Sequence, residues 1–177
     1  MSTYKIFFSG SGGQGILLMG QMVASAAMME EKSTTFFPSY GPEMRGGTAN
    51  CTVVVSTKEI SCPIIFESDC VVAMNLPSLL KFEKTIKPGG LLLLNSSIIH
   101  QKAKRDDITV IELPANDLAN ELGNPLVANM IMLGAFARAS KIVTEPTLET
   151  VIYNTFSKKK AALVDINVKA FGYWRDV

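Results

Sequence analysis

Short apolar runs alternate with longer apolar segments along most of the chain. The short runs predict strands at residues 4–8, 33–37, 48–56, 70–74, 91–95 and 108–113. The longer segments predict helices at residues 14–32, 78–86, 114–122, 126–140 and 145–156, and a last helix after residue 161. This alternation favours an α/β fold, a three-layer α/β/α domain with a mostly parallel sheet. A hairpin-like return near Thr48 predicts a mixed sheet, and we expect residues 1–177 to form a single domain.

Proline and glycine interrupt the pattern at three places. Pro38 is expected to end the second strand, because proline has no N–H to donate to a neighbouring strand. Residues 60–66, which contain Pro63, predict either an edge strand or a loop. Residues 87–90, Lys-Pro-Gly-Gly, predict a turn before a buried strand.

The segment at residues 14–32 is apolar around nearly its whole circumference. Gly20, Ala24 and Ala27 fall on one helical face, where they allow close packing against a sheet or a partner. The methionines of this segment are expected to fill the core or an interface rather than to line a cofactor site. A helix without a polar face is expected to be buried on more than one side, and the mean hydropathy of +0.24 adds to the expectation of a covered subunit surface.

The charge balance argues against nucleic acid as a partner, because 17 basic residues stand against 16 acidic ones. The longest apolar stretch, residues 16–29, is interrupted by polar residues and is too short to span a bilayer. Because the chain enters a predicted strand at once, no signal peptide is expected. We therefore expect a cytoplasmic protein without a membrane partner.

Three cysteines and one histidine offer little material for a metal site. Cys51, Cys62 and Cys70 include no C-x-x-C pair, so their spacing supports neither a zinc site nor an iron–sulfur cluster. All three lie in or beside apolar runs and are expected to be buried thiols. His100 follows a polar stretch and is expected in an exposed loop.

A glycine-rich stretch at residues 9–15, Ser-Gly-Ser-Gly-Gly-Gln-Gly, joins the first predicted strand to the first helix. Backbone N–H groups at a helix N-terminus can hold an anion, and glycines let a phosphate or another backbone approach closely. The stretch nearly fits the dinucleotide-binding pattern G-x-G-x-x-G, but Glu30 and Glu31 stand at the end of the helix, not after the second strand where the ribose partner belongs. A tight turn that only packs the helix against the sheet is the alternative.

A second loop rich in turn-forming residues, 39–47, precedes the strand predicted at residues 48–56. It combines Pro42 and two terminal glycines with Glu43 and Arg45. Arg45 is a candidate clamp for a phosphate or a carboxylate, or else a partner for Glu43 or for another chain. Both loops are expected at the carboxyl ends of the strands, where ligands gather in α/β sheets.

The residue sets of common catalytic centres are missing: the chain has no activated nucleophile, paired catalytic carboxylates, metal-ligand cluster or Walker lysine. Asn75 and Asn129 end or interrupt apolar runs, so each is expected to hydrogen-bond to a buried group and to fix a nearby loop. The lysines at residues 158–160 predict a solvated face or a contact with an acidic cofactor tail. We predict no catalytic residue and no metal ligand, as in a part of a larger enzyme.

Five stretches, in the same order along the chain, resemble one enzyme family. Residues 10–16, Gly-Ser-Gly-Gly-Gln-Gly-Ile, match the GxGGQGI motif of the gamma subunit of 2-oxoacid:ferredoxin oxidoreductases, and residues 37–51 match that family's second signature. Residues 73–78, 87–90 and 122–130 are also similar. The resemblance covers essentially the full chain. It is greatest to the separate gamma chain of the 2-oxoglutarate type, while branched-chain 2-oxoacid, pyruvate and indolepyruvate enzymes remain open.

This resemblance implies an oxidoreductase that converts a 2-oxoacid, coenzyme A and oxidised ferredoxin into an acyl-CoA, carbon dioxide and reduced ferredoxin. It implies that thiamine diphosphate, magnesium and 4Fe-4S clusters reside in alpha, beta and, where present, ferredoxin-like delta partners. The gamma part would be a non-catalytic subunit similar to a domain of the single-chain pyruvate:ferredoxin oxidoreductase, which helps to hold coenzyme A. The apolar faces are expected to allow self-association when the chain is isolated.

By the same resemblance, the two glycine loops are candidates to contact the phosphates or the adenosine end of coenzyme A, with Arg45 as the charge partner. The candidate cofactor-binding residues are Gly10, Gly12, Gly13, Gln14, Gly15, Ser39, Tyr40, Gly41, Arg45, Gly46 and Gly47. The loops are equally candidates for packing against the alpha and beta chains. A stand-alone nucleotide-binding or scaffold protein without a dedicated enzyme partner is the alternative hypothesis.

Overall fold

The computed structural model describes residues 3–39, 48–157 and 161–173. Most of the second glycine loop and the lysines at residues 158–160 therefore lie outside the described residues. Short turns of 3₁₀ helix, Glu83–Thr85 and Pro125–Val127, stand between the described elements. The strands and helices follow one another as β1 (Thr3–Ser11), α1 (Ile16–Met29), β2 (Ser33–Ser39), β3 (Thr48–Ser56), β4 (Ser68–Ala73), α2 (Leu76–Phe82), β5 (Ile86–Asn95), β6 (Thr109–Leu113), α3 (Ala115–Glu121), α4 (Ala128–Ser140), α5 (Glu145–Ser157) and α6 (Ala161–Tyr173).

The strands form one sheet in the order β2-β3-β1-β4-β5-β6. The neighbouring strands β1, β4, β5 and β6 run parallel to one another. Strand β3 is antiparallel to both of its neighbours, β1 and β2. The sheet is therefore mixed and mostly parallel, as predicted. The chain leaves β1 toward one side of the sheet and β4 toward the other, so the crevice between the carboxyl ends of β1 and β4 is the switch point at which ligands bind in such folds.

Both faces of the sheet are covered by an apolar core. The helices α1 and α3–α6 supply one core, in which Phe8 packs edge-on against Phe136 of α4. The opposite core is thinner: α2 and the connecting loops cover it, and Phe7 stacks at a tilt on Phe82. This arrangement confirms the predicted three layers, with most of the described helices on one side.

The helix α1 is buried on several sides, as its apolar circumference predicts. A Cβ at Gly20 would lie 2.5 Å from the sulfur of Cys51 and 3.0 Å from the ring of Phe36, so glycine lets the helix approach β2 and β3 closely. Met19 and Met22 are buried, and Met28 and Met29 at the end of the helix are exposed. None of the described helices, α1 included, has the length and apolar character needed to cross a membrane.

The prediction that Pro38 ends the second strand was wrong. The strand continues to Ser39, and Pro38 pairs with Cys51 of β3. Because β2 is the edge strand, a position without an N–H can face the side where no neighbouring strand lies.

Residues 87–90 lie within β5 as a bulge, not as the separate turn predicted from their sequence. Ser68 of β4 pairs with Ile86 of β5, and Cys70 pairs with Leu91. Strand β5 therefore has more residues than β4 between these two pairs, and its extra residues form the bulge. Gly89 has φ +74° and donates its N–H to the carbonyl oxygen of Asp107 at 2.7 Å. Glycine is favoured here because this φ lies in the left-handed region.

The connection between β3 and β4 is a loop, one of the two alternatives for residues 60–66. Cys62 lies in this loop and is exposed, so the prediction of three buried thiols was wrong for this residue. Cys51 and Cys70 are buried in β3 and β4, and burial raises the pKa of the Cys51 thiol to about 12. His100 is exposed in a loop, as predicted.

Candidate functional site

The strand ends that border the two glycine loops meet at one edge of the sheet. Ser11, at the end of β1, pairs with Thr48 at the start of β3, and Ser39, at the end of β2, pairs with Asn50. Ser39 and Thr48, the described residues on either side of the segment 40–47, therefore lie at the edge that carries the first glycine loop. Ser39 is exposed at this edge. The other predicted contacts of the second loop lie outside the described residues, and their role stays a prediction: Tyr40, Gly41, Arg45, Gly46 and Gly47.

The first glycine loop combines a closely packed base with an open tip. A Cβ at Gly10 would come within 2.6 Å of Oε1 of Gln14 and 2.8 Å of the Met74 side chain, so this position admits only glycine without movement. Gly13 and Gly15 have φ of +92° and +72°, which glycine adopts at little cost. Gly12 and Gly13 are exposed, so the tip is open to a ligand or a partner.

The Gln14 side chain points back into the scaffold. Its Oε1 accepts a hydrogen bond from the backbone N–H of Ser11 at 2.6 Å, and its Nε2 donates to the carbonyl oxygen of Met74 at 3.2 Å. Gln14, predicted as a cofactor contact, thus uses both polar ends of its amide to connect the loop after β1 with the end of β4.

Asn75 forms a second connection between the same two strand ends. Its Oδ1 accepts from the N–H of Ser78 at 3.0 Å and so caps α2, while its Nδ2 donates to the hydroxyl of Ser11 at 2.7 Å. The hydroxyl of Ser9 donates to that of Ser78 at 2.8 Å in the buried interior. This confirms the prediction that Asn75 fixes a nearby loop.

The N-terminus of α1 opens at the first glycine loop. Gly15 is the N-cap, and no side chain caps the first turn. Its carbonyl oxygen accepts from Met19, so the N–H groups before Met19 have no acceptor within the helix. The first turn holds no acidic residue, so the partial positive charge of the helix end is available to an anion.

A cavity of about 150 Å³ lies beside the same loop, between the loop and the N-terminal ends of α3 and α4. No charged side chain occurs among the described residues that line it. Polar contacts come from neutral amides, and the apolar part of the wall comes from Met74, the 3₁₀ helix Pro125–Val127 and the start of α4. The lining residues are Gly13, Gln14, Met74, Asn116, Pro125, Leu126, Ala128 and Asn129.

Asn129 lies against Gly15. A Cβ at residue 15 would stand 2.1 Å from its Nδ2, so glycine is required for this contact between α1 and α4. Asn129 is only 6% exposed, yet its Oδ1 has no hydrogen-bond partner among the described residues. The prediction that Asn129 hydrogen-bonds to a buried group was wrong for its oxygen within the described part of the chain.

Two further asparagines at this edge were missed from the sequence. Asn95, at the end of β5, donates from Nδ2 to Oδ1 of Asn116 at 2.7 Å, and the Oδ1 of Asn95 also lacks a partner within the described ranges. A signal was present, since Asn95 ends a buried parallel strand and Asn116 opens the helix after the next strand. The carboxyl ends of parallel strands meet at one edge.

A larger cavity, about 520 Å³, lies at the opposite edge of the sheet. There Lys87 forms an ion pair with the carboxylate of Asp69 at 3.0 Å, and the Lys5 N–H donates to the same carboxylate at 2.8 Å. The edge at which the parallel strands β1, β4, β5 and β6 end, here called the carboxyl edge, is the better candidate for function despite its smaller cavity. It brings together the first glycine loop, the uncapped N-terminus of α1 and the amides of Asn95 and Asn129, whose oxygens lack a partner among the described residues.

The described groups at the carboxyl edge are suited to binding a ligand. Within the described ranges, no three His, Cys, Asp or Glu side chains come close enough together to hold a metal ion. The described groups facing the cavity are neutral amides, backbone and apolar side chains. These groups suit a neutral polar part of a ligand, and the uncapped N-terminus of α1 beside them suits an anionic part.

Comparison with known proteins identifies proteins that are similar to this chain. Residues 5–175 match the family model described as pyruvate ferredoxin/flavodoxin oxidoreductase. The chain is 37% identical over 166 residues to the ketoisovalerate oxidoreductase subunit VorA of Methanothermobacter marburgensis, an alignment that covers 93% of this chain and 34% of VorA. It is 34% identical over 157 residues to the 2-oxoglutarate synthase subunit KorC of Methanocaldococcus jannaschii, which covers 87% of this chain and 84% of KorC. The chain thus spans about a third of VorA and most of KorC.

Solved structures of related enzymes are also similar to this chain. The gamma subunit of a keto/oxoacid ferredoxin oxidoreductase from Geobacter sulfurreducens PCA superposes with a TM-score of 0.82 at 30% identity, covering 98% of this chain and 96% of that one. The 2-oxoglutarate:ferredoxin oxidoreductase from Magnetococcus marinus, solved with 2-oxoglutarate, coenzyme A and succinyl-CoA bound, has a TM-score of 0.92 at 24% identity. That match covers 99% of this chain and 31% of the other, and at this identity it shows the fold alone. The resemblance drawn from the motifs is confirmed: the chain belongs to the pyruvate ferredoxin/flavodoxin oxidoreductase family.

Proposed function

We propose that the chain is the gamma subunit of a thiamine-diphosphate-dependent 2-oxoacid:ferredoxin oxidoreductase. In the proposed reaction a 2-oxoacid loses carbon dioxide, its acyl group joins the sulfur of coenzyme A, and the released electron pair reduces ferredoxin. The family match over residues 5–175 carries the proposal, because it takes in nearly the whole chain. The cytoplasm is the proposed compartment, and residues 1–177 are proposed to act as one domain.

The proposal places the reactive cofactors in partner chains. Thiamine diphosphate, magnesium and 4Fe-4S clusters would reside in alpha and beta subunits and, where present, a ferredoxin-like delta subunit. The relatives support this division, because KorC and the Geobacter sulfurreducens chain are each named as a subunit of such an enzyme and each aligns with this chain over most of its own length.

We infer that the carboxyl edge around Gly12 and Gly13 helps to hold coenzyme A. The exposed loop tip and the uncapped N-terminus of α1 suit the phosphate groups of the molecule. The Magnetococcus marinus enzyme, similar in fold, was solved with coenzyme A bound. Arg45 of the second loop is proposed as the charge partner, and packing of both loops against alpha and beta chains is the second role that fits the same edge.

2-Oxoglutarate is the proposed substrate, supported by the similarity to KorC over most of both chains. Ketoisovalerate is the second candidate, because VorA shares 37% identity with this chain. Substrate contacts are expected in the partner chains, so a substrate panel decides between the two.

The proposed function is tested by recovering the chain from its native cell extract and assaying the eluate. We expect thiamine-containing partners to co-purify and to support reduction of a viologen dye that requires both a 2-oxoacid and coenzyme A. A panel of 2-oxoacids in the same assay names the substrate. A chain recovered without partners and without this activity would instead favour the stand-alone nucleotide-binding or scaffold alternative.

The role of the second loop is tested separately by Arg45→Ala in the assembled enzyme. We expect a higher KM for coenzyme A, while decarboxylation of the 2-oxoacid without coenzyme A stays largely intact. Arg138→Ala is the matched control, because Arg138 lies near the C-terminal end of α4 and pairs with Glu145. An unchanged KM for coenzyme A in Arg45→Ala would remove Arg45 from the site.

A further inference from the structure

We propose that the outer edge of β2 pairs with the β2 strand of a second copy of this chain, so that two sheets join across a two-fold axis. Strand β2 stands at one end of the sheet, and no described strand lies on its outer side. The inference is independent of the proposed function, because it concerns only this edge, so either can fail without the other.

The β2 edge carries no charge. An edge strand presents N–H and C=O groups to solvent, and proteins usually protect such an edge with charged side chains, proline or a covering element. Residues Ser33–Ser39, Ser-Thr-Thr-Phe-Phe-Pro-Ser, include no charged residue. Pro38 protects the edge only near the end of the strand. Two copies of β2 can therefore meet without repulsion between like charges.

Pro38 indicates which backbone groups point outward. It pairs with Cys51 although it has no N–H to donate, so it occupies a position at which the N–H would face away from β3. Backbone groups alternate in direction along a strand, so Thr34 and Phe36 also direct their N–H and C=O groups away from β3. These two residues supply the hydrogen-bonding groups for a partner strand.

The hydrogen-bonding pattern selects an antiparallel register centred on Thr35. In this register Thr34 of each copy lies opposite Phe36 of the other, and each of these equivalent pairs exchanges both of its backbone hydrogen bonds. A register centred on Phe36 would instead place Thr34 opposite Pro38, which has no N–H to donate. The Thr35-centred register therefore forms more hydrogen bonds, and it brings Thr35 directly opposite Thr35 of the second copy.

The side chains on either side of Thr35 are self-complementary in size. The small residues Ser33 and Thr34 precede it, and Phe36 and Phe37 follow it. In the Thr35-centred register each phenylalanine therefore faces a small residue of the other copy, and pairs of an aromatic with a β-branched residue stabilise antiparallel strands. The Phe37 side chain, 53% exposed, would be partly covered by the second strand. This complementarity favours a second copy over an unrelated strand.

The pairing closes at two copies. Both copies contribute the same edge, so the contact is isologous and no β2 edge is left to recruit a third copy. A dimer is therefore expected, not a fibre.

The first test is sedimentation velocity of the full wild-type chain at concentrations from about 1 to 100 μM. We expect the dimer to predominate at the upper end of this range. Hydrogen exchange measured over the same range should slow at the backbone N–H groups of Thr34 and Phe36 as the dimer forms, because these groups then donate to the second copy.

Disulfide cross-linking tests the register, in a Cys62→Ser background because Cys62 is an exposed thiol. At the two-fold axis the Cα atoms of the two Thr35 residues would be about 4.5 Å apart, within the range that a disulfide spans. Ser33→Cys is the matched control, because the two Ser33 residues would lie about 14 Å apart along the strands. We expect Thr35→Cys to give at least about tenfold more cross-linked dimer than Ser33→Cys.

A charge exchange at the same position provides a second test. Thr35→Lys and Thr35→Glu each place like charges directly opposite one another and should be monomeric, whereas an equimolar mixture of the two should form a heterodimer. Asn154→Lys is the matched control, because Asn154 is exposed on α5, and this variant should remain a dimer. The sedimentation test needs no variant, so it decides even where a Thr35 variant folds poorly.

A wild-type chain that stays monomeric throughout the concentration range would overturn the inference. A dimer in which Ser33→Cys cross-links as readily as Thr35→Cys would place the contact on another surface and overturn it as well. Exchange at Thr34 and Phe36 that slows only when alpha or beta chains are added would show that a strand of those chains occupies the edge instead. None of these results bears on coenzyme-A-dependent activity, so the proposed function would stand.

Discussion

Gln14 donates a hydrogen bond from its side-chain Nε2 to the backbone oxygen of Met74 across 3.2 Å, and so ties the loop after β1 to the end of β4. These two strand ends border the switch point of the sheet. A glycine-rich loop has many accessible conformations, and this bond together with the one from Asn75 to Ser11 restricts them. The same links leave Gly12 and Gly13 exposed at the tip, where a ligand can reach the backbone.

Replacement of Gln14 by alanine is expected to destabilise the chain by about 1–3 kcal/mol, because the Ser11 N–H and the Met74 oxygen lose their partner. Urea unfolding of the purified chain measures the change. Gln101→Ala is the matched control: Gln101 is exposed in a loop, and its loss should cost less than about 0.5 kcal/mol. Equal stability of the two variants would show that the Gln14 link contributes nothing to the loop.

Gly15→Ala is expected to cost more than about 2 kcal/mol, because the new Cβ combines a left-handed φ with a 2.1 Å approach to Nδ2 of Asn129. Gly13→Ala shares the positive φ but has no atom within 4 Å of its Cβ, so it should cost only about 1 kcal/mol. Thermal and urea unfolding measure both.

The clash at residue 15 can be isolated by a double-mutant cycle. Asn129→Ala removes the amide, so the pair Gly15→Ala and Asn129→Ala should be less destabilising than the sum of the two single changes. Strict additivity would mean that Asn129 does not make the glycine necessary.

Asn75 has two separable tasks, which two substitutions distinguish. Asn75→Ala removes both the cap of α2 and the bond to Ser11, and is expected to cost about 1–2 kcal/mol or more. Asn75→Asp keeps an oxygen for the Ser78 N–H and loses only the donor to Ser11. Its loss of stability should be smaller, while hydrogen exchange of the residues 11–15 should accelerate. Unchanged exchange in Asn75→Asp would contradict the loop-fixing role.

Glu30 gives the chain an acid-sensitive contact. Burial raises the pKa of Glu30, but hydrogen bonds from Lys32 and from the N–H and side chain of Thr144 outweigh it and lower this pKa from near 4.5 to about 2. A carboxylate with a depressed folded-state pKa adds stability above its unfolded pKa, and this stability is lost as pH falls toward the folded value. Between pH 5 and about pH 2, the wild type should therefore lose more stability than Glu30→Gln.

Urea unfolding at a series of pH values tests this prediction. Glu31→Gln is the control, because the Glu31 side chain is exposed beside the same helix end and should leave the wild-type pH dependence in place. The prediction fails if Glu30→Gln and the wild type lose stability in parallel over this range.

Much of the fold was predictable because strand and helix patterns were locally clear. The alternation in Thr48–Ser56 gave β3 its bounds, and the continuous apolar run at residues 70–74 predicted a central parallel strand. The errors depended on tertiary position. Pro38 is tolerated because β2 is the edge strand, and residues 87–90 form a bulge because β4 continues beside them. The local sequence around residues 38 and 87–90 does not show which strands lie beside them in the sheet.

The candidate site was predictable in place but not in the direction of its side chains. The glycine motif and the rule for strand ends located the edge, and Asn75 and Asn129 were singled out because they interrupt apolar runs. The inward turn of Gln14 was not predictable, since its partners Ser11 and Met74 meet only when β1 and β4 pair. The cavity between Gly13, Asn116 and Asn129 likewise depends on how α3 and α4 approach the sheet.

The most direct test of the central claim is acyl-CoA formation by the reconstituted enzyme with and without this chain, measured as a function of coenzyme A concentration. We predict that the remaining subunits still decarboxylate the 2-oxoacid, but that coenzyme-A-dependent acyl-CoA formation falls by at least about tenfold and returns when the chain is added back. The same rate and the same coenzyme A dependence without the chain would contradict the account.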